Sequence, residues 1–134
     1  MEHSWIREGY RSLNPYIVVE RVESLLVFLT EVLDGRERGE REIRADGSIG
    51  HTEFGFGDSV LMLSEASESP PRPSVVYAYV EDVDAVFRRA VAAGATHLHE
   101  PQDWPWGDRV AGFHDPFDNR WWVATCLAAT TSGR

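Results

Sequence analysis

The apolar positions of this chain change period along its length. Val22, Leu25, Leu26, Leu29 and Leu33 recur at steps of three and four, which puts them on one face of a helix that Asp34-Gly35 ends. Val83, Val86, Phe87, Ala90 and Val91 repeat the pattern, with Asp82 as N-cap and Gly94 as the stop. Each helix follows a short apolar run, Pro15 to Val19 and Val75 to Val80, that reads as a strand. After each helix the period drops to two. This predicts strands near Arg36 to Arg44, Ile49 to Phe56 and Ser59 to Glu65, and again near Thr96 to Glu100, Arg109 to His114 and Arg120 to Cys126.

The two halves also repeat in residue type. Val19-Glu20-Arg21-Val22-Glu23 returns as Val80-Glu81-Asp82-Val83-Asp84, 61 positions later. One strand-helix-three-strand unit used twice is the economical reading, and ligand chemistry is then expected in the concave space between the copies. The Pro- and Ser-rich stretch Ser64 to Ser74 marks the joint. Neither half could bury its helix and sheet alone, so the expectation is one domain over residues 14–127, made of units at about 14–65 and 75–127 with a linker at 66–74. Residues 1–13 show no clean period and read as an extension, with docking left open. Residues 128–134 read as a frayed tail.

Composition narrows the function classes. The chain has 134 residues, 43% of them hydrophobic, enough for a single core. Thirteen basic residues against twenty-two acidic ones leave a net charge of −9, which repels phosphate backbones and favours neutral or cationic partners; no nucleic-acid partner is expected. Cys126 is the single cysteine, expected to be a small buried hydrophobe, so neither an intrachain disulfide nor a thiolate-rich metal site can form. With no signal-peptide pattern and no apolar run of membrane-spanning length, a cytoplasmic protein without membrane partners is expected.

The element order and the string GDRVAGFHDPFDNRWW, Gly107 to Trp122, resemble the vicinal oxygen chelate superfamily, which holds glyoxalase I, bleomycin-resistance proteins and extradiol dioxygenases. Its PhnB-like branch is closest in appearance, through NPYIVV, GHTEFGFGDSVLML, YVEDVDAVFRRAVAAGA, WPWGDR and DPFDN. The likeness covers about residues 14–126. It implies an α+β fold in which two tandem βαβββ units form a curved mixed sheet around a cavity, with helices outside, and it implies a homodimer. Catalytic members hold a divalent metal by one side chain from the first and last strand of each unit. The matching places here are Asn14 or Pro15, Met62, Val75, and Ala124 or Thr125, none a good ligand, so no metal and no cofactor are expected.

The same alignment assigns strand faces, because side chains alternate. Tyr16, Tyr77, Tyr79 and Trp122 would line the space that holds metal in relatives. Independently, Gly57-Asp58 reads as a two-residue hairpin, pairing Phe56 with Ser59, Glu53 with Met62 and His51 with Ser64. His51, Glu53 and Met62 then face the cavity while Phe54, Phe56, Leu61 and Leu63 face the helices.

His51 and Glu53 read either as a self-satisfied polar pair or as a ligand-contacting or acid/base pair, with a metal role as a further option. His97 and His99, two apart, could chelate on one strand face. Trp104 and Trp106 bracket Pro105 and could pack a loop, anchor a dimer or close on a flat ligand. Arg109 could pair with Asp108 or Asp115 or meet an anionic ligand. Asp115-Pro116 with Asp118-Asn119 reads as turn chemistry.

Taken together, the sequence points to a metal-independent small-molecule-binding protein that takes an aromatic or cationic compound, with antibiotic sequestration as one form. A lyase, isomerase or dioxygenase of the same superfamily is the alternative, and a dimerisation or partner-binding module the third. No catalytic residue is assigned.

Overall fold

The computed structural model describes residues 5–67 and 70–127; the tail at 128–134 lies outside the described residues. The chain divides into two compact units, residues 1–30 and 34–72 in the first and residues 31–33 and 73–134 in the second. The boundary after Arg72 falls inside the Pro-rich joint.

The first unit runs β1 (Tyr16–Val19), α1 (Val22–Val32), β2 (Gly35–Ile43), β3 (Ile49–Phe56) and β4 (Ser59–Glu65). Its sheet has the order β1-β4-β3-β2, with β1 parallel to β4 and the other pairs antiparallel. Gly57 has a φ of +58°, the left-handed value a two-residue hairpin asks of its first loop position. Phe56 pairs with Ser59 and Glu53 with Met62, as the hairpin register requires. Ile17, Val19, Phe54, Leu61 and Leu63 on one sheet face are buried, as are Val22, Leu25, Leu26, Phe28, Leu29 and Val32 of α1. The start of α1 is capped from a distance: the Glu65 carboxylate accepts from the backbone N–H groups of Val22 and Ile49, both at 2.9 Å.

The second unit repeats the order with β5 (Val75–Tyr79), α2 (Val83–Ala92), β6 (Thr96–Asp103), β7 (Asp108–His114) and β8 (Arg120–Cys126), giving a sheet β5-β8-β7-β6. The two helices begin at Val22 and Val83, in register with the repeat. Asp82 caps α2 by accepting from the Ala85 N–H at 3.1 Å, and α2 packs on β6, β7 and β8. Between β7 and β8, the buried Asp115 carboxylate accepts from the N–H groups of Phe117 and Asn119, the Asn119 amide and the Trp121 indole. The DPFDN stretch is therefore a hydrogen-bonded turn, as its composition suggests.

The strands form two four-stranded mixed sheets, one per βαβββ unit, which is the α+β architecture of two tandem βαβββ units that the resemblance implies. Strand β6 runs three residues beyond Glu100, through Pro101 at the outer edge of its sheet, where a missing N–H costs no ladder bond. Cys126 is exposed, because β8 is buried only through its Trp121–Ala124 stretch and Cys126 ends it. No helix among the described residues is long and apolar enough to cross a membrane.

Candidate functional site

Two side-chain groupings stand out, one on each sheet. In the first unit, Tyr16 pairs with Met62 and Met62 with Glu53 across adjacent strands, so these side chains share a face, and the His51 ring lies 6.2 Å from the Tyr16 ring. His51 Nε2 lies 3.2 Å from Glu53 Oε2, and Arg38 Nε 3.8 Å from Glu53 Oε1. The residues before β1 complete the group. Tyr10 donates its hydroxyl hydrogen to Glu53 Oε1, and the guanidinium groups of Arg7 and Arg38 lie 5.3 and 5.4 Å from its ring centroid. Burial works to raise the Glu53 carboxyl pKa, but the bonds from Tyr10 and His51 and the Arg38 charge outweigh it and hold the group below its usual value. Glu53 is thus a compensated carboxylate, with both oxygens engaged.

A cavity of about 430 Å³ opens over this grouping, lined by Trp5, Ile6, Arg7, Tyr10 and Arg11 together with Asn14, His51, Glu53 and Met62. The extension docks on the sheet instead of trailing from it. Tyr10 and Arg7 were not legible as site residues, because the segment has no period and its partner Glu53 is 43 positions away.

In the second unit, Tyr77 pairs with Trp122 and Tyr79 with Ala124 on one sheet face. The Trp122 ring packs against Gly112, where an added Cβ would come within 2.6 Å of the indole, so the absence of a side chain is what seats the ring. Beneath the tyrosines sits Asp108, 6% exposed, whose Oδ2 accepts from the Tyr77 hydroxyl at 2.7 Å and the Tyr79 hydroxyl at 2.8 Å. Burial first, then the Asp108 bond, raises the Tyr77 pKa; for Tyr79 the Asp108 bond leads, and the pKa is pushed up to about 12. The Trp106 side chain works the other way, lowering the Tyr77 pKa without outweighing burial and Asp108. Trp104 and Trp106 stack with centroids 5.2 Å apart and planes at 16°, and His99 lies 5.1 Å from Trp104. Tyr77, Tyr79 and Trp106 are all exposed. Asp108 could have been found by carrying the β7–β8 register outward, since it pairs with Cys126 two steps beyond the Val110–Ala124 pair.

Two readings that the sequence leaves open close here. His97 pairs with Phe113 but His99 with Gly112, so a bulge separates them; His97 lies against Phe87 of α2, with ring centroids 5.5 Å apart, while His99 meets Trp104 on the tyrosine side. They cannot chelate together. Arg109 pairs with neither Asp108 nor Asp115. It forks onto Asp84 at 2.8 and 3.1 Å and reaches Asp103 at 2.9 Å, joining β7 to the start of α2. That carries its guanidinium away from the face of Tyr77 and Trp122.

The positions that match the superfamily's metal ligands offer no donor set. Met62, Val75 and Ala124 carry no nitrogen or oxygen on their side chains. The Asn14 amide is bonded to the Arg11 backbone, and the Thr125 hydroxyl donates to the Val80 carbonyl. Among the described residues, no group of three or more His, Cys, Asp or Glu side chains converges as a metal would require.

The sequence profile of the Glyoxalase/Bleomycin resistance protein/Dioxygenase superfamily matches residues 12–123, and the chain belongs to that superfamily. An uncharacterized protein of Mycobacterium bovis is 32% identical over 122 residues, spanning 82% of this chain and 80% of its own length, and one of Mycobacterium tuberculosis is 32% identical with 82% and 71% spanned. Among solved structures, TioX from Micromonospora sp. ML1 is similar with a TM-score of 0.67 at 24% identity, covering 87% of this chain and 100% of TioX. The PhnB protein from Bacillus cereus gives 0.67 at 16% identity, with the same coverage. These structural likenesses establish the fold, which hosts many chemistries.

Proposed function

We propose that the chain is a small-molecule-binding protein that works without a bound metal, as a homodimer in the cytoplasm, and takes a planar, preferentially cationic compound on the aromatic face of its second unit. The observation that carries this reading is the buried Asp108 carboxylate beneath the exposed rings of Tyr77 and Tyr79. Its negative charge, held by two phenols, adds to the ring quadrupoles that attract a cation, and Trp122, Trp104 and Trp106 add flat surface. An antibiotic of that shape and charge is one candidate ligand. The same exposed rings support a second copy covering part of this face.

The enzyme alternative has one observation in its favour, the Tyr10–Glu53–His51 contact in the first unit. With its pKa held low, Glu53 would orient the imidazole there rather than accept a proton itself.

The test is a fluorescence titration with N-methylquinolinium and its neutral counterpart quinoline. The parent should prefer the cation. Trp122→Ala should weaken both about tenfold, the effect of losing one ring contact. Asp108→Asn should weaken the cation more than quinoline. Equal binding by parent and variants would remove the reading.

A further inference from the structure

We infer that the cavity of the first unit is a second binding site, built by the segment before β1, for a small organic anion whose charged group meets Arg7 and whose apolar body lies on Trp5, Ile6 and Met62. The residues that make it a site lie largely outside the superfamily match, which begins at residue 12, whereas Trp5, Ile6, Arg7 and Tyr10 precede it. The site is therefore walled by residues that precede the superfamily match and floored by Asn14, His51, Glu53 and Met62 within it.

The segment is fastened at several points. Asn14 brackets Arg11 by accepting from its N–H at 3.2 Å and donating to its carbonyl at 2.7 Å, and Arg11 reaches Asp58 at the β3–β4 hairpin at 3.0 Å. Tyr10 is anchored through its hydroxyl on Glu53. A wall fixed in this way costs a ligand little ordering entropy.

Charge decides the ligand class. The cavity is lined by two arginines and one carboxylate, in a chain whose net charge is −9. Glu53 is already engaged by Tyr10, His51 and Arg38, and Arg11 is paired with Asp58. Arg7 keeps its charge uncompensated. Its contacts are the Tyr10 hydroxyl at 3.4 Å and the Tyr10 ring at 5.3 Å, and no carboxylate among the described residues pairs with it. Glu8 and Glu40 line, with Arg7 itself, the adjoining groove of about 310 Å³, but neither lines this cavity and, among the described residues, neither forms an ion pair with Arg7. A guanidinium held against a tyrosine and short of an anion, beside an indole, an isoleucine and a thioether, is suited to a carboxylate on a ring or short chain.

Benzoate, benzamide and benzamidine share one shape and differ in charge, so calorimetric titration of the full chain with all three tests the inference. Benzoate should bind about tenfold or more tightly than benzamide, the difference expected for a charge-assisted bond, and benzamidine, a planar cation, should meet only the second unit's aromatic face, so that its binding falls in Trp122→Ala. Arg7→Gln, a change at an exposed side chain, should reduce benzoate to the level of benzamide without altering the thermal midpoint. Tyr10→Phe should weaken benzoate and benzamide by freeing the wall and leave benzamidine unchanged. Trp122→Ala should leave benzoate unchanged, so failure at this site and failure of the cation site read separately. No benzoate binding, equal affinity for benzoate and benzamide, an unaffected Arg7→Gln, or loss of benzoate in Trp122→Ala would each overturn the inference.

Discussion

Asp115 shows how much one side chain can hold. It is 1% exposed and collects four donors from its own turn and from Trp121, so removing it strands the Asn119 amide and backbone N–H groups out of water. Asp115→Ala should therefore cost about 3 kcal/mol of stability, more than a typical surface change, read as a fall in the urea midpoint. Tyr79 makes a different test. Its pKa, pushed up to about 12 by Asp108, lies above the unfolded value, so the folded chain binds the proton more tightly. The contribution to stability is fully present below about pH 10 and is lost as the pH rises towards about 12. Phenolate absorbance should show this late-titrating tyrosine in the parent, and Asp108→Asn should bring it down towards the ordinary range.

At the scale of elements, the helices and the β3–β4 hairpin follow from short-range rules and the bulged strands do not. Asp82 satisfies a backbone donor that the first turn of α2 leaves open, so Asp82→Ala should lower stability by about 1 kcal/mol while Asp82→Asn retains most of it, by urea denaturation. The corresponding cap on α1 is the carboxylate of Glu65, from a strand 43 positions on, and no local motif announces it. In β6 the alternation that would place His97 beside His99 is reset by a bulge, and in β2 the register also shifts between Arg38 and Glu42. Period-two reasoning holds only between such breaks.

For the whole molecule, the donor-poor superfamily positions lead to a plain expectation. Elemental analysis after dialysis should find no stoichiometric divalent metal, and one tightly held zinc, nickel or iron per chain would overturn the metal-free reading. The assembly proposal is equally direct. Light scattering at micromolar concentration should give about 30 kDa, twice the 15.1 kDa chain, by the two-fold symmetry usual for small homo-oligomers, and a monomer would count against it.

The sequence by itself determined the two βαβββ units, the helix faces, the register around Gly57-Asp58, the shared face of Tyr77 and Trp122 and the superfamily. The first three rest on spacing within a few residues or on the repeat, which backbone geometry turns into position, and the last two on the resemblance of motifs such as GDRVAGFHDPFDNRWW. The tertiary structure alone decided that Tyr10 closes on Glu53, that Asp108 lies under two tyrosines, that Arg109 turns to Asp84 and that His97 and His99 part. These outcomes depend on hydrogen bonds between residues tens of positions apart and on bulges that break the period. Such contacts are selected by the competition among buried polar groups for partners, which exists only once the chain is folded.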